Sequence, residues 1–235
     1  MASIAPQGRG EEEAELTMSA DRAVVHLLRH GEVHNPEGVL YGRLPGYFLS
    51  DLGARMAQMA ADAVAHRDIA VLRSSPLERA LQTASPIAAA VGAQVEPEER
   101  VIESTNVFEG KRVSVGDGVL RQPRYWRHLW QPFKPSWGEP YAQVAARMRA
   151  AIRDAAIAAR GREALIVSHQ LPIWIARLDA EGRRYWHDPR RRQCALASLT
   201  SMTFEWNGSE PEFVGLEYTE PAAVLLGSAS RIAGA

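Results

Sequence analysis

Arg29 and His30 stand side by side where the apolar run Val24, Val25, Leu27 and Leu28 stops, and Gly31 follows them. A β-branched-rich run of this length suits a strand buried on both faces, and Gly31 permits a tight turn at its end. In open α/β sheets ligands bind beyond the carboxyl ends of strands, so the pair would stand at a catalytic edge. A lone Arg-His-Gly reads more simply as a surface cation beside a hydrogen-bonded turn, so its weight depends on partners. Two are present. Ile69, Val71 and Leu72 run into Ser74-Ser75-Pro76-Leu77-Glu78-Arg79, and Ala164 to Val167 runs into Ser168-His169. Ser75 as an N-cap with Pro76 behind it predicts a helix start. Arg79 then lies on the first turn, near free backbone N–H groups and the positive end of the helix dipole. Two arginines and two histidines at three strand ends make a site for a small, highly charged anion. Phosphate is the natural candidate, because guanidinium binds its oxygens as a bidentate fork.

The elements that must position these residues alternate between strand and helix patterns. That alternation predicts an α/β fold, three layers α/β/α around a mostly parallel sheet. Val33 to Ser50 is a polar, glycine-rich connection. Ser50 can cap a helix in which Leu52, Met56, Met59, Ala60 and Ala63 recur at helical spacing. Pro86 should kink or restart the helix that carries Arg79. Val95 to Ile102 reads as extended and ends at Glu103. Between Ser104 and Gly138 the pattern is irregular, with Tyr125, Trp126, Trp130, Phe133 and Trp137 among glycines and prolines, and a short helix from Gln122 to Trp130 fits. Such a connection is either a binding loop or lid, or an excursion that plugs its tryptophans onto the core. Glu139 to Arg160 reads as a long helix with Val144, Met148, Ile152, Ala155 and Ala159 on one face, closed by Gly161. Pro172 sits just inside another helix start. Leu196 to Glu205 and Glu212 to Glu217 read as neighbouring strands.

The chain has 235 residues, 46% of them hydrophobic, which is ample for one well-buried domain and short for two. The expected layout is an acidic tail over residues 1–20, a single unit over 21–218 with the 104–138 insertion above its site, and a C-terminal tail over 219–235. A formal net charge of -1 provides no overall field for nucleic acid or an acidic membrane, so any anion site must be local. The one cysteine, Cys194, excludes an intrachain disulfide framework and fits a reducing cytoplasm. No cluster of residues has metal-ligand spacing. Glu11, Glu12 and Glu13 stand where an export signal would need a positive start and an apolar core. The longest apolar stretch, Ala164 to Leu178, is broken by His169, Gln170 and Pro172, so no membrane span is expected. Exposed tryptophans in the insertion would suit a homodimer.

RHGE at Arg29 to Glu32, SSPLERALQTA at Ser74 to Ala84 and VSHQ at Val167 to Gln170 together resemble the histidine phosphatase superfamily, which includes the cofactor-dependent phosphoglycerate mutases. The loop YGRLPGYFLSDLG from Tyr41 to Gly53, and Glu103 followed by Phe108-Glu109-Gly110, are similar to further family segments. The resemblance spans Val24 to Thr203. It implies a phosphoglycerate mutase-like fold, no cofactor, and a mechanism that also suits the residue types. His30, kept neutral by the guanidinium charge, would attack phosphorus and form a phosphohistidine. Its other ring nitrogen would be fixed by a hydrogen bond to a backbone carbonyl. Arg29, Arg79 and a protonated His169 would stabilise the equatorial oxygens. Glu103 would act as general acid and then as base.

Glu32 competes for the acid's role, although in the turn it can instead hold the loop or touch substrate. Asn35 resembles the family's phosphate-binding asparagine but lies one residue nearer the motif. Arg43 is either a substrate-binding cation or a surface residue. His34 reads as solvated, His26 as a core histidine with satisfied hydrogen bonds, and His187 has no evident partner. Arg190, Arg191 and Arg192 form a basic loop that could flank the pocket mouth. The expected activity is metal-independent hydrolysis of a phosphomonoester, with a small phosphorylated metabolite as substrate. A phosphoglycerate mutase is the first alternative, against which Ser104 to Phe108 lacks the mutase Arg and Tyr-Gly pattern. A catalytically silent phosphate-binding module is the second.

Overall fold

Residues 20–112 and 138–227 are described in the computed structural model. The expected acidic tail up to residue 19, the aromatic residues Tyr125, Trp126, Trp130, Phe133 and Trp137 with the short helix around them, and residues 228–235 lie outside the described residues. The strands are β1 (Arg22–Arg29), β2 (Ile69–Ser74), β3 (Val95–Pro97), β4 (Glu163–Ser168), β5 (Leu199–Trp206) and β6 (Pro211–Thr219). They form one sheet in the order β3-β2-β4-β1-β5-β6. Neighbours from β3 to β1 pair in parallel, and β5 and β6 close the other side as an antiparallel hairpin.

Successive residues of the central strands point to opposite faces, and both faces are apolar. Ala23, Val25 and Leu27 of β1 join Ala164 and Ile166 of β4 in one core, while Leu28, Leu165 and Val167 join the other. Each fully buried leucine contributes roughly 1.5–3 kcal/mol, so a one-residue slip of β1 would exchange both sets at large cost. Helices α1 (Asp51–Val64) and α2 (Glu78–Val91) cover the second face; α3 (Tyr141–Ala158) and α4 (Gln170–Ala180) cover the first. This is a three-layer α/β/α arrangement around a mostly parallel sheet. None of the described helices is long and apolar enough to cross a membrane.

Local boundaries differ from the sequence pattern in ways that have causes. Ser50 caps α1, its Oγ accepting from the Gly53 N–H at 2.9 Å. The buried stripe of α1 is Gly53, Met56, Ala57, Ala60, Ala61 and Val64, so Leu52, Met59 and Ala63 flank it instead of leading it. Helix α2 begins two residues after the expected start, with Leu77 as N-cap and no side-chain cap. The Ser75 hydroxyl, expected as that cap, is hydrogen-bonded to His169. Pro86 does not restart α2, which is continuous through it. The proline removes one hydrogen bond from the helix, but the carbonyl left over is that of Gln82, an exposed position open to water. Val95 to Ile102 is not one extended segment, because a 3-10 turn at Glu99–Val101 interrupts it, capped by Glu98. Past β6 the expected tail contains one short helical turn, α5 (Ala223–Leu226), behind a buried Ala222.

Candidate active site

Strand register sets the site. Arg29 pairs with Ser168, and Ser74 pairs with Val167, so β1, β4 and β2 end level with one another. The next residues are His30, His169 and Ser75. Backbone bonds lock this edge, His30 N–H donating to Ser168 O at 3.2 Å and Ser75 N–H to Val167 O at 2.9 Å. The turn after His30 depends on close backbone approach. A Cβ on Gly31 would stand 2.5 Å from the carbonyl oxygen of Gly53 at the start of α1, with no flexible side chain to give way.

His30, Arg79 and His169 are fully buried and Arg29 nearly so. His30 Nδ1–H donates to the Gly31 carbonyl at 2.8 Å, which fixes the tautomer and leaves the Nε2 lone pair unused. The ring of His169 stands 5.1 Å from that of His30, centroid to centroid, in an edge-on arrangement. His169 Nε2 is hydrogen-bonded to Ser75 Oγ at 2.8 Å, and its Nδ1 has no partner. Arg29 donates from Nη1 to the Cys194 carbonyl at 2.8 Å while its Nε is unpaired. Arg79 donates from Nη2 to the Gly42 carbonyl at 2.6 Å and lies over the Tyr41 ring at 4.7 Å, with Nε and Nη1 unpaired. Buried polar atoms without partners are rare because each is costly. Here such nitrogens occur on all four residues of one cluster.

Burial first, and then the Arg79 and Arg29 charges, hold His30 well below the ordinary imidazole range. Burial, Arg79 and His30 do the same to His169. Both rings are therefore neutral near pH 7 in the ligand-free pocket. A bound phosphate dianion would reverse the sign of the neighbouring charge. Because the unfolded chain takes up protons at pH values where these rings stay neutral, stability should fall as pH drops below about 6.5. The expected slope is about 1.4 kcal/mol per pH unit for each histidine. Urea titrations between pH 8 and 5 in phosphate-free buffer check this. A flat profile would contradict it, and saturating phosphate should shallow it.

The other candidates are placed as follows. Glu103 is buried, and its Oε1 accepts from Ser104 N–H at 2.8 Å. Arg79, Tyr41 and Arg192 lie within electrostatic reach of its carboxyl group. Glu32 accepts from the Ser50 hydroxyl at 2.6 Å, tying the turn after His30 to the cap of α1. Both polar atoms of the Asn35 carboxamide bind the backbone of Val39, so this side chain closes its own loop. Arg43 donates from Nε to the Glu103 carbonyl and from Nη2 to Glu139 at 3.2 Å. It braces the segment that carries Glu103. His26 is a core histidine held by Ser201 at 2.7 Å and Glu163 at 2.9 Å.

Several supporting residues are not singled out by the sequence reading. Thr83 Oγ1 accepts from Gly31 N–H at 3.2 Å and donates to Arg79 O at 2.8 Å, linking the turn after His30 to the arginine. Its spacing of one helical turn from Arg79 was the available clue. Ala197 adopts φ 53°, left-handed for a residue with a Cβ, and its N–H donates to the His30 carbonyl. Burial pushes the Tyr41 phenol up to about 12 and the Cys194 thiol up to about 11, so both stay protonated. Cys194 contributes its carbonyl, not its sulfur.

A sheet covered on both faces carries, beyond its strand ends, a cluster of two buried histidines and two buried arginines in an α/β protein. Residues 25–217 match the Histidine phosphatase superfamily (branch 1), and the chain belongs to that family. It is 54% identical over 200 residues to the uncharacterized protein Rv0525 of Mycobacterium tuberculosis, covering 85% of this chain and 97% of that one. It is 29% identical over 168 residues to phosphoserine phosphatase 1 of Hydrogenobacter thermophilus, covering 68% of this chain and 78% of that one. In structure it is similar to the mycobacterial glucosyl-3-phosphoglycerate phosphatase Rv2419c, with a TM-score of 0.68 and 22% identity over 85% of this chain and 98% of that one.

Proposed function

We propose that the chain is a metal-independent phosphomonoesterase that works through a phosphohistidine on His30. The observation that carries this reading is the set of unpaired buried nitrogens on Arg29, His30, Arg79 and His169, which a phosphoryl group would satisfy together. The phosphatase names of the Hydrogenobacter and mycobacterial relatives support hydrolysis, while similarity of the same order to probable phosphoglycerate mutases keeps transfer as the alternative. His30 Nε2 attacks phosphorus in line, and the bond from phosphorus to the ester oxygen breaks. Arg29 and Arg79 meet the charge on the equatorial oxygens, the contribution that matters most in phosphoryl transfer. His169 adds a hydrogen bond and takes up a proton as the dianion arrives. Protonated Glu103 gives its proton to the leaving alcohol, then as carboxylate takes one from the water that cleaves the phosphorus–nitrogen bond. Inorganic phosphate leaves, and both groups return to their starting states.

The test is phosphate release from a panel of small phosphomonoesters, in buffer with and without excess chelator. Release that chelator does not diminish is the expected result. Transfer of the phosphoryl group to a second hydroxyl without release would replace this reading with a mutase, and binding of phosphate without either reaction would replace it with a silent module.

A further inference from the structure

Beside the phosphate cluster lies a second cation that makes no ion pair with a carboxylate among the described residues. Within the basic loop, Arg190 is exposed and paired with Asp188, whereas Arg192 turns inward. Its Nε–H donates to His187 Nε2 at 2.8 Å and its Nη1 to Gln170 Oε1 at 3.3 Å. His187 is the neutral acceptor in this pair, because its Nδ1–H donates to the Tyr185 carbonyl at 2.6 Å. Its ring is wedged between Tyr141 and Trp174, at centroid distances of 5.7 and 5.8 Å. Both partners of Arg192 are therefore uncharged, and among the described residues no carboxylate pairs with it. Of the five N–H groups on its guanidinium these bonds occupy one on Nε and one on Nη1, and among the described residues no bond is seen from Nη2.

The position is defined by a short relay. Gln170, next to His169, donates from Nε2 to the Cys194 carbonyl, and that same oxygen accepts Arg29 Nη1. Arg192 thus stands one amide away from the phosphate-facing arginine. The charges of Arg29 and Glu103 both act on it. From this geometry we infer that Arg192 is a specificity residue that binds a carboxylate on the leaving-group side of the substrate, so that the preferred esters are phosphorylated acids. A planar fork held by two neutral partners is preorganised for a planar carboxylate. The inference rests on the phosphatase reading of the same pocket and names the class of substrate it takes.

A matched pair of esters isolates this contact. In 3-phosphoglycerate and glycerol 3-phosphate the phosphoester end is the same and only the distal carboxylate differs from a hydroxymethyl. The parent protein should favour the acid in kcat/KM by about tenfold to a hundredfold, the range of a charged hydrogen bond. Arg192→Met should bring the ratio near one, and Arg192→Lys, which keeps charge but loses the fork, should restore only part of it. Calorimetric binding of the same two esters to His30→Ala protein, with and without Arg192→Met, reads the contact without turnover. Equal losses on both esters, or a ratio unchanged by Arg192→Met, would overturn the subsite and leave the phosphatase reading intact. Carboxylate-dependent binding without hydrolysis by the parent would keep the subsite and overturn the phosphatase reading. No hydrolysis and no preference in binding would overturn both.

Discussion

His30→Ala should abolish phosphate release, with a loss of roughly four to six orders of magnitude, the scale seen when a nucleophile is removed from an enzyme. The size follows from the geometry. His30 Nδ1 is committed to the Gly31 carbonyl, so Nε2 is the ring nitrogen free to attack, and among the described residues no second nucleophile is placed to replace it. His169 is turned edge-on and its Nε2 is bonded to Ser75, while burial keeps the Cys194 thiol protonated. Rapid acid-free quenching with labelled ester should trap a phosphoenzyme in the parent and none in the variant. Retained turnover in His30→Ala would remove the covalent mechanism, whatever the substrate.

The second large effect concerns Arg79, where activity and stability should part. Arg79→Met should lower kcat/KM by roughly two to three orders of magnitude, the cost of losing a preorganised donor to the developing charge. Arg79→Lys should recover little, because an ammonium cannot span two phosphate oxygens as a fork does. The ligand-free protein should nevertheless keep or raise its thermal midpoint in Arg79→Met. A fully buried guanidinium with two unpaired nitrogens is a burden on the empty fold, and a methionine of similar shape removes it. The variant should also lose the stabilisation that phosphate gives the parent, since that gain depends on selective binding to the folded state. A fall in activity matched by a fall in stability would assign Arg79 a packing role instead.

What could be read from the chain, and what could not, divides along a physical line. Arg29, His30, Arg79 and His169 were legible because each follows a short apolar run that can only be a buried strand, and strand ends converge in such a sheet. The partners that hold them were not. Arg29 and Arg79 are anchored by the carbonyls of Cys194 and Gly42, and a carbonyl belongs to every residue type. Arg43 and Arg192 show the same limit from the other side. Both are arginines in loops, yet Arg43 is spent on Glu139 across 96 residues of sequence while Arg192 meets only neutral partners. Nothing local distinguishes them. Ser75 was correctly singled out and given the wrong duty, because a hydroxyl suited to a helix cap is equally suited to an imidazole.

The central place of β1 bears on how the protein is made. This strand leaves the ribosome early, but the neighbours that flank it in the sheet, β4 and β5, come from the far part of the chain. The bond between Arg29 and the Cys194 carbonyl spans 165 residues. Helices α1 and α2 and strand β2 are therefore synthesised before either edge of β1 is covered, and their contacts close late and over long loops. During that interval an apolar strand with two open edges is exposed to pairing with other chains. His30, attached to the end of that strand, can join His169 and an anchored Arg29 only after Cys194 has emerged, so the cluster cannot assemble on the first two elements of the chain alone.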